Sequence, residues 1–197
     1  MDQQQIDTTL AITQAMVDEL TDYLMGDSLY RQLMVKTAGG VRQPKMTLGA
    51  LLENMQSLED EQVRLSAEQR RQTAAMGERI AVARASFASQ WDALLRRELK
   101  ALLDSWRWYL DDAARDDAAR ERYPQEAHIR TRIELVQAEL ADDPLAAERR
   151  RELSQLDATL RPMLHGSGYV GPRGSENRYP AGRAWWLYGR PGNGASK

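Results

Sequence analysis

Between Ala50 and Tyr123 the chain contains no proline and a single glycine, Gly77. Proline and glycine are the residues that most readily interrupt a helix, so their scarcity leaves this stretch free to be helical throughout. Its apolar residues Leu51, Met55 and Leu58, then Met76, Ile80, Ala83, Phe87, Trp91, Leu95, Leu99, Leu102, Trp106 and Leu110, step by threes and fours. That spacing predicts one buried helical face. An unbroken helix of this length would extend roughly 100 Å. The stripe thins between Leu58 and Met76, where Gln62, Gln69 and Gln72 take seam positions. Gly77 and the polar stretch from Glu59 to Thr73 are therefore the expected places for a kink or a break.

The flanks add shorter elements. Ile6, Leu10, Thr13, Val17, Leu20 and Leu24 form an amphipathic stripe, with Met16 and Tyr23 beside it, that ends where Gly26 would stop a helix. In the next segment Leu29, Leu33 and Val35 alternate with polar residues, Gly39 and Gly40 can turn the chain, and Pro44 suits only an edge strand. A small β-hairpin is expected there; a short helix from Leu29 to Lys36 is the alternative. After Pro124, Ile129, Ile133, Val136 and Leu140 form another stripe. Asp143 and Pro144 then signal a last helix, expected to run from Pro144 to about His165 and to stop at Gly166. Short connections favour antiparallel neighbours.

The fold class expected is mainly α: an antiparallel, coiled-coil-like hairpin or bundle of long helices. The organisation is residues 1–48 as a helix plus hairpin, 49–165 as the helical body and 166–197 as an extended tail. A chain with apolar seams on more than one face is also expected to form a homodimer.

Function classes narrow by absence. With no cysteine there is no disulfide framework and no thiolate chemistry. The balance of 27 basic against 29 acidic side chains does not announce nucleic acid as a partner. Mean hydropathy is −0.62, and no apolar run reaches membrane-spanning length. The opening MDQQQIDTTL lacks the basic and apolar regions of a signal peptide. These features predict a soluble, cytoplasmic protein with no membrane partner.

Motifs for catalysis are also missing. His128 and His165 are the only histidines, and the residues three before them are Gln125 and Pro162, not the glutamates of a di-iron bundle. No metal and no cofactor are expected, and His165 is read as a helix C-terminal residue. Gly166, Gly168 and Gly171 spell G-x-G-x-x-G, but they follow a helix and precede Pro172, the reverse of the strand-glycine-helix order that binds a dinucleotide. Acidic pairs such as Glu59 with Asp60 and Asp142 with Asp143 read as solvated surface. The chain is therefore expected not to be an enzyme, with no catalytic residue assigned.

Charged clusters read as helix surface. Arg70-Arg71, Arg96-Arg97 and Arg149 to Arg151 are interleaved with Glu68, Glu98, Glu148 and Glu152, which predicts a face laced with ion pairs. The repeat DDAARDDAAR, Asp111 to Arg120, reads the same way, with Asp111/Arg115 and Asp116/Arg120 as i,i+4 pairs. In the triplet Trp106, Trp108 and Tyr109, the first and last share the seam. Trp108 lies on another face and needs a second contact, either a partner or, as expected here, a packed neighbouring helix.

The last segment is the least ordinary. Residues 166–197 carry Arg173, Arg178, Arg183, Arg190 and Lys197 against Glu176, a net charge of +4 within a chain of −2. They also hold Tyr169, Tyr179, Trp185, Trp186 and Tyr188, more aromatic surface than a linker requires. The tail either packs back on the body, or is disordered, or is a recognition segment. The functional expectation is a self-associating scaffold or adaptor that docks a protein partner through Arg183, Trp185, Trp186, Tyr188 and Arg190. The rival is nucleic-acid binding through the same residues.

Overall fold

A computed structural model describes residues 2–172 and 174–192, and eight α-helices with three small antiparallel strand pairs make up the described fold. No helix among the described residues is long and apolar enough to cross a membrane. The chain divides into two compact units between Glu98 and Leu99. That boundary lies inside a helix rather than at the composition changes near residues 48 and 165.

The first unit begins with helices α1 (Gln3–Asp18) and α2 (Leu20–Met25). Asp2 and Gln5 close a reciprocal capping box at the start of α1, satisfying amides that have no partner within the helix. The expected single helix is interrupted at Glu19, yet the predicted stripe Ile6, Leu10, Thr13, Val17, Leu20 and Leu24 is buried along its whole length.

The hairpin is present. Strands β1 (Arg31–Gln32) and β2 (Val35–Thr37) pair with β4 (Lys45–Met46) and β3 (Gly40–Arg42) respectively. One register runs through both pairs, from Arg31 opposite Met46 to Thr37 opposite Gly40. The ladder lapses only near Pro44, which has no N–H to donate; its carbonyl still accepts from Leu33 N at 3.0 Å. Leu33, Val35 and Met46 face the core, and β2 packs on α1.

The long stretch is helical but not a single rod. It forms α3 (Leu48–Asp60), α4 (Ala67–Ser86), α5 (Ala88–Ala113) and the short α6 (Asp117–Glu121). The first break falls in the expected polar stretch, where Ser66 and Gln69 form a second capping box and start α4. Gly77 breaks nothing; it lies within α4, where an added Cβ would stand 3.7 Å from Met55. Phe87 is a one-residue interruption, because helical hydrogen bonds continue from Phe87 N to Ala83 O and from Trp91 N to Phe87 O. The third break overturns the reading of the Asp111–Arg120 repeat as uninterrupted helix surface. Asp116 leaves the helix to accept from Ala118 N and Ala119 N, and Arg120 pairs with Asp117 and donates to Ala113 O.

Glu98 departs from the expected salt-laced face. It is buried, accepting from Thr47 Oγ1 at 2.5 Å and Gly49 N at 2.8 Å, so a carboxylate on α5 completes the N-terminus of α3. Elsewhere the mixed charge does pair as expected, Arg71 with Glu68 and Arg149 with Glu152.

In the second unit, α7 (Tyr123–Glu139) carries the stripe expected after Pro124, and Pro124 itself sits in its first turn where no amide is needed. Helix α8 (Ala146–Leu160) begins after Asp143, whose side chain accepts from Leu145 N. Arg150 reaches Leu140 O while Arg130 reaches Asp157, so α7 and α8 run in opposite directions. The last helix is shorter than expected. At Leu160 it gives way to a 3-10 turn, Arg161–Met163, because Pro162 cannot donate to a continuing helix, and His165 lies on a strand. Trp106, Tyr109 and Tyr123 form a buried aromatic cluster with centroids 5.3 to 6.4 Å apart. Trp108 is not covered as expected: it is 71% exposed.

Candidate partner-binding surface

The basic aromatic segment does not extend away from the body. Strand β5 (Leu164–Tyr169) pairs antiparallel with β6 (Tyr188–Pro191), with His165 opposite Arg190 and Tyr169 opposite Tyr188. Between those pairs Gly166, Ser167 and Gly168 stand against Gly189 alone, which makes a bulge. Two of the three glycines that spell the nucleotide motif, Gly166 and Gly168, therefore serve a strand irregularity. Gly189 has φ +101°, and a Cβ there would lie 3.0 Å from His165 O. Only glycine meets both conditions.

A 3-10 turn, Trp185–Leu187, leads into β6 and places the two tryptophans differently. Trp186 is 2% exposed. Its indole Nε1 donates to Thr131 Oγ1 at 3.0 Å, its carbonyl accepts from the Tyr123 hydroxyl, and its ring lies 4.0 Å from the guanidinium carbon of Arg130. Arg130, on α7 and 4% exposed, is itself held by Asp157 through Nε at 2.8 Å and Nη2 at 2.9 Å, and by Glu134 at 3.0 Å. The planar guanidinium uses its edge for carboxylates and its face for the indole.

The other predicted residues are distributed by this anchoring. Tyr188 is half-buried and donates to Tyr179 O at 2.8 Å, fastening the intervening loop. Trp185 is half-buried, with the guanidinium carbon of Arg161 3.8 Å from its ring centroid. Arg183 and Arg190 are exposed, and neither meets a carboxylate among the described residues. Arg173 and Lys197, counted in the charge of the segment, lie outside the described residues. Of the three accounts of the tail, packing back on its own unit describes what the chain does, and Trp186 is the core residue of that packing. What remains on the surface is Arg183, Arg190, His165 and the Arg161–Trp185 stack.

Arg130 and Arg161 were not singled out from sequence. A signal for Arg130 existed, since it continues the buried line of Tyr123, Ala127, Ile133 and Val136 at helical spacing. Among the described residues no three His, Asp or Glu side chains are grouped as a metal would require. His128 lies on the exposed face of α7 with Nδ1 against Gln125 O.

Burial, more than any neighbouring charge, pushes the phenols of Tyr109 and Tyr123 well above the usual value of about 10. Each holds its proton more tightly folded than unfolded. Their contribution to stability is therefore complete below about pH 10 and is lost as pH rises from there toward the folded values. In an ultraviolet alkaline titration both should stay protonated until the unit unfolds, with ionisation and loss of circular dichroism coinciding. Ionisation of all seven tyrosines before unfolding would contradict the burial described.

No protein-family model matches the sequence, and no curated protein or solved structure is significantly similar to it.

Proposed function

We propose that this chain is a non-enzymatic, self-associating scaffold or adaptor of the cytoplasm, and that it docks a protein partner through the surface of its folded C-terminal segment. The observation that carries the reading is the Arg161–Trp185 stack beside exposed Arg183 and Arg190. Stacking spends the face of a guanidinium and leaves its N–H edge available for a carboxylate, and arginine and tryptophan dominate the energetics of protein interfaces. Two further arginines without carboxylate partners suit an acidic partner surface.

The folded segment also favours a protein over single-stranded nucleic acid at this site. Successive bases need successive accessible rings. Here Trp186 is buried, Tyr188 is fastened to the loop, and Trp185 is already covered on one side by Arg161. Trp108, exposed on α5, supports the self-association part of the reading.

The test is capture from source lysate with and without nuclease, comparing the full chain with Trp185→Ala and with Arg183→Glu/Arg190→Glu. A protein retained after nuclease and lost by at least about 30-fold with either variant is the expected result, a factor that corresponds to a hot spot of about 2 kcal/mol. Equal capture by all three chains would remove the docking role. Sedimentation of the same samples reads self-association directly.

A further inference from the structure

The hairpin of the first unit has a charge pattern that the reading above does not use. From Ser28 to Leu52 there is no acidic residue, while Arg31, Lys36, Arg42 and Lys45 all fall in the hairpin. The rest of residues 1–98 is acidic in balance, so positive charge is concentrated on one small element.

The register sorts the side chains. Arg31, Leu33, Val35 and Met46 belong to the face toward the core, and strict alternation puts Gln32, Met34 and Lys36 on the outward face of one strand. Val41, Gln43 and Lys45 share that face on the other strand. All six are exposed, Met34 at 78% and Val41 at 57%. Arg31 is engaged with Glu19, and Lys45 lies 4.9 Å from the ring centroid of Tyr30. Lys36 and Lys45 meet no carboxylate among the described residues, and Arg42, opposite Val35, is exposed but belongs to the other face.

We propose that this outward face docks into the major groove of double-stranded B-form DNA. The B-form major groove admits a two-stranded ribbon, and the ribbon here is of that kind. Its outward chemistry suits the groove: lysines for phosphates and guanine edges, glutamine amides for adenine, and Met34 and Val41 for thymine methyl groups. Among the described residues the exposed Gln43 side chain makes no hydrogen bond, whereas Gln32 is tied to the carbonyls of Gln43 and Pro44. An RNA duplex is a poorer fit because its major groove is deep and narrow. An anionic bilayer is a poorer fit because two apolar side chains, flanked by amides, offer little surface to enter it.

The experiment uses the full chain and a fluorescein-labelled duplex about two helical turns long, read by anisotropy. Two phosphate contacts, from Lys36 and Lys45, predict a slope of log K against log salt of about −1.8, or an affinity loss of about 12-fold between 50 and 200 mM salt. Lys36→Glu/Lys45→Glu should weaken binding more than tenfold and flatten the slope, and Arg183→Glu/Arg190→Glu should leave both unchanged. Circular dichroism checks that the variants fold, with Lys36→Ala/Lys45→Ala as the milder pair. The proposal is overturned by absent binding at about 100 μM protein in low salt, by binding that ignores the hairpin variants, or by tighter binding to an RNA duplex or phosphatidylserine vesicles. These variants leave the second unit untouched, so failure here and failure of the adaptor reading are separable.

Discussion

Replacing Trp186 with alanine is expected to destabilise the second unit by about 3–5 kcal/mol, the range for truncating a large buried aromatic side chain. The ring is enclosed, its indole N–H is bonded to Thr131, and its face covers the guanidinium of Arg130. Removal opens a cavity, leaves Thr131 without its donor and exposes one side of a buried cation. Domains of this size are stable by only about 5–15 kcal/mol, so the loss is a large fraction of the total. Urea unfolding followed by circular dichroism measures it, and protease cutting between residues 166 and 192 should accelerate in parallel. Trp185→Ala is the matched control. Its ring is half-buried and stacked on one side only, so about 1 kcal/mol or less is expected. If the two variants cost the same, the segment is not anchored by Trp186.

The second large effect concerns the cation beneath that ring. Arg130→Met should cost about 3–5 kcal/mol, because Asp157 is left in a largely buried place without its partner. Changing both ends, Arg130→Met with Asp157→Leu, should recover much of the loss, since an apolar pair of similar volume is often as stable as a buried ion pair. Arg130→Lys separates charge from shape. Lysine keeps the charge but has neither the fork that holds both oxygens of Asp157 nor a plane to lie under the indole. It should therefore fall between wild type and Arg130→Met. A double-mutant cycle with no coupling between positions 130 and 157 would contradict the geometry.

Much of the fold was legible because it depends on period. The stripe from Ile6 to Leu24 and the alternation from Leu33 to Val35 each record which side faces the core, and the structure buries those sides. The break before α4 was readable too, since Ser66 followed by Gln69 is a capping-box pattern lying within the polar stretch. Other features depend on competition that period does not express. Asp116 is compatible with an i,i+4 pair on a helix and with a cap that ends one, and its side chain took the cap. Trp185 and Trp186 are chemically identical neighbours. Only the pairing of β6 with β5, through glycines that looked like a phosphate motif, decides which one enters the core. Arg130 was hidden for a related reason: an arginine on an apolar line reads as surface until its carboxylate and its ring, both distant in sequence, are brought to it.

The lock between Arg130 and Trp186 also sets an order in time. During synthesis α7 and α8 are complete before the indole that covers the Arg130 guanidinium has been added, and 26 residues separate the end of α8 at Leu160 from Trp186. At about 5–20 residues per second that interval is roughly 1 to 5 s. Throughout it the nascent helical pair displays an empty apolar slot with a charged rim, so this is the window in which a chaperone, or an intruding aromatic side chain from another chain, competes with Trp186 for its place.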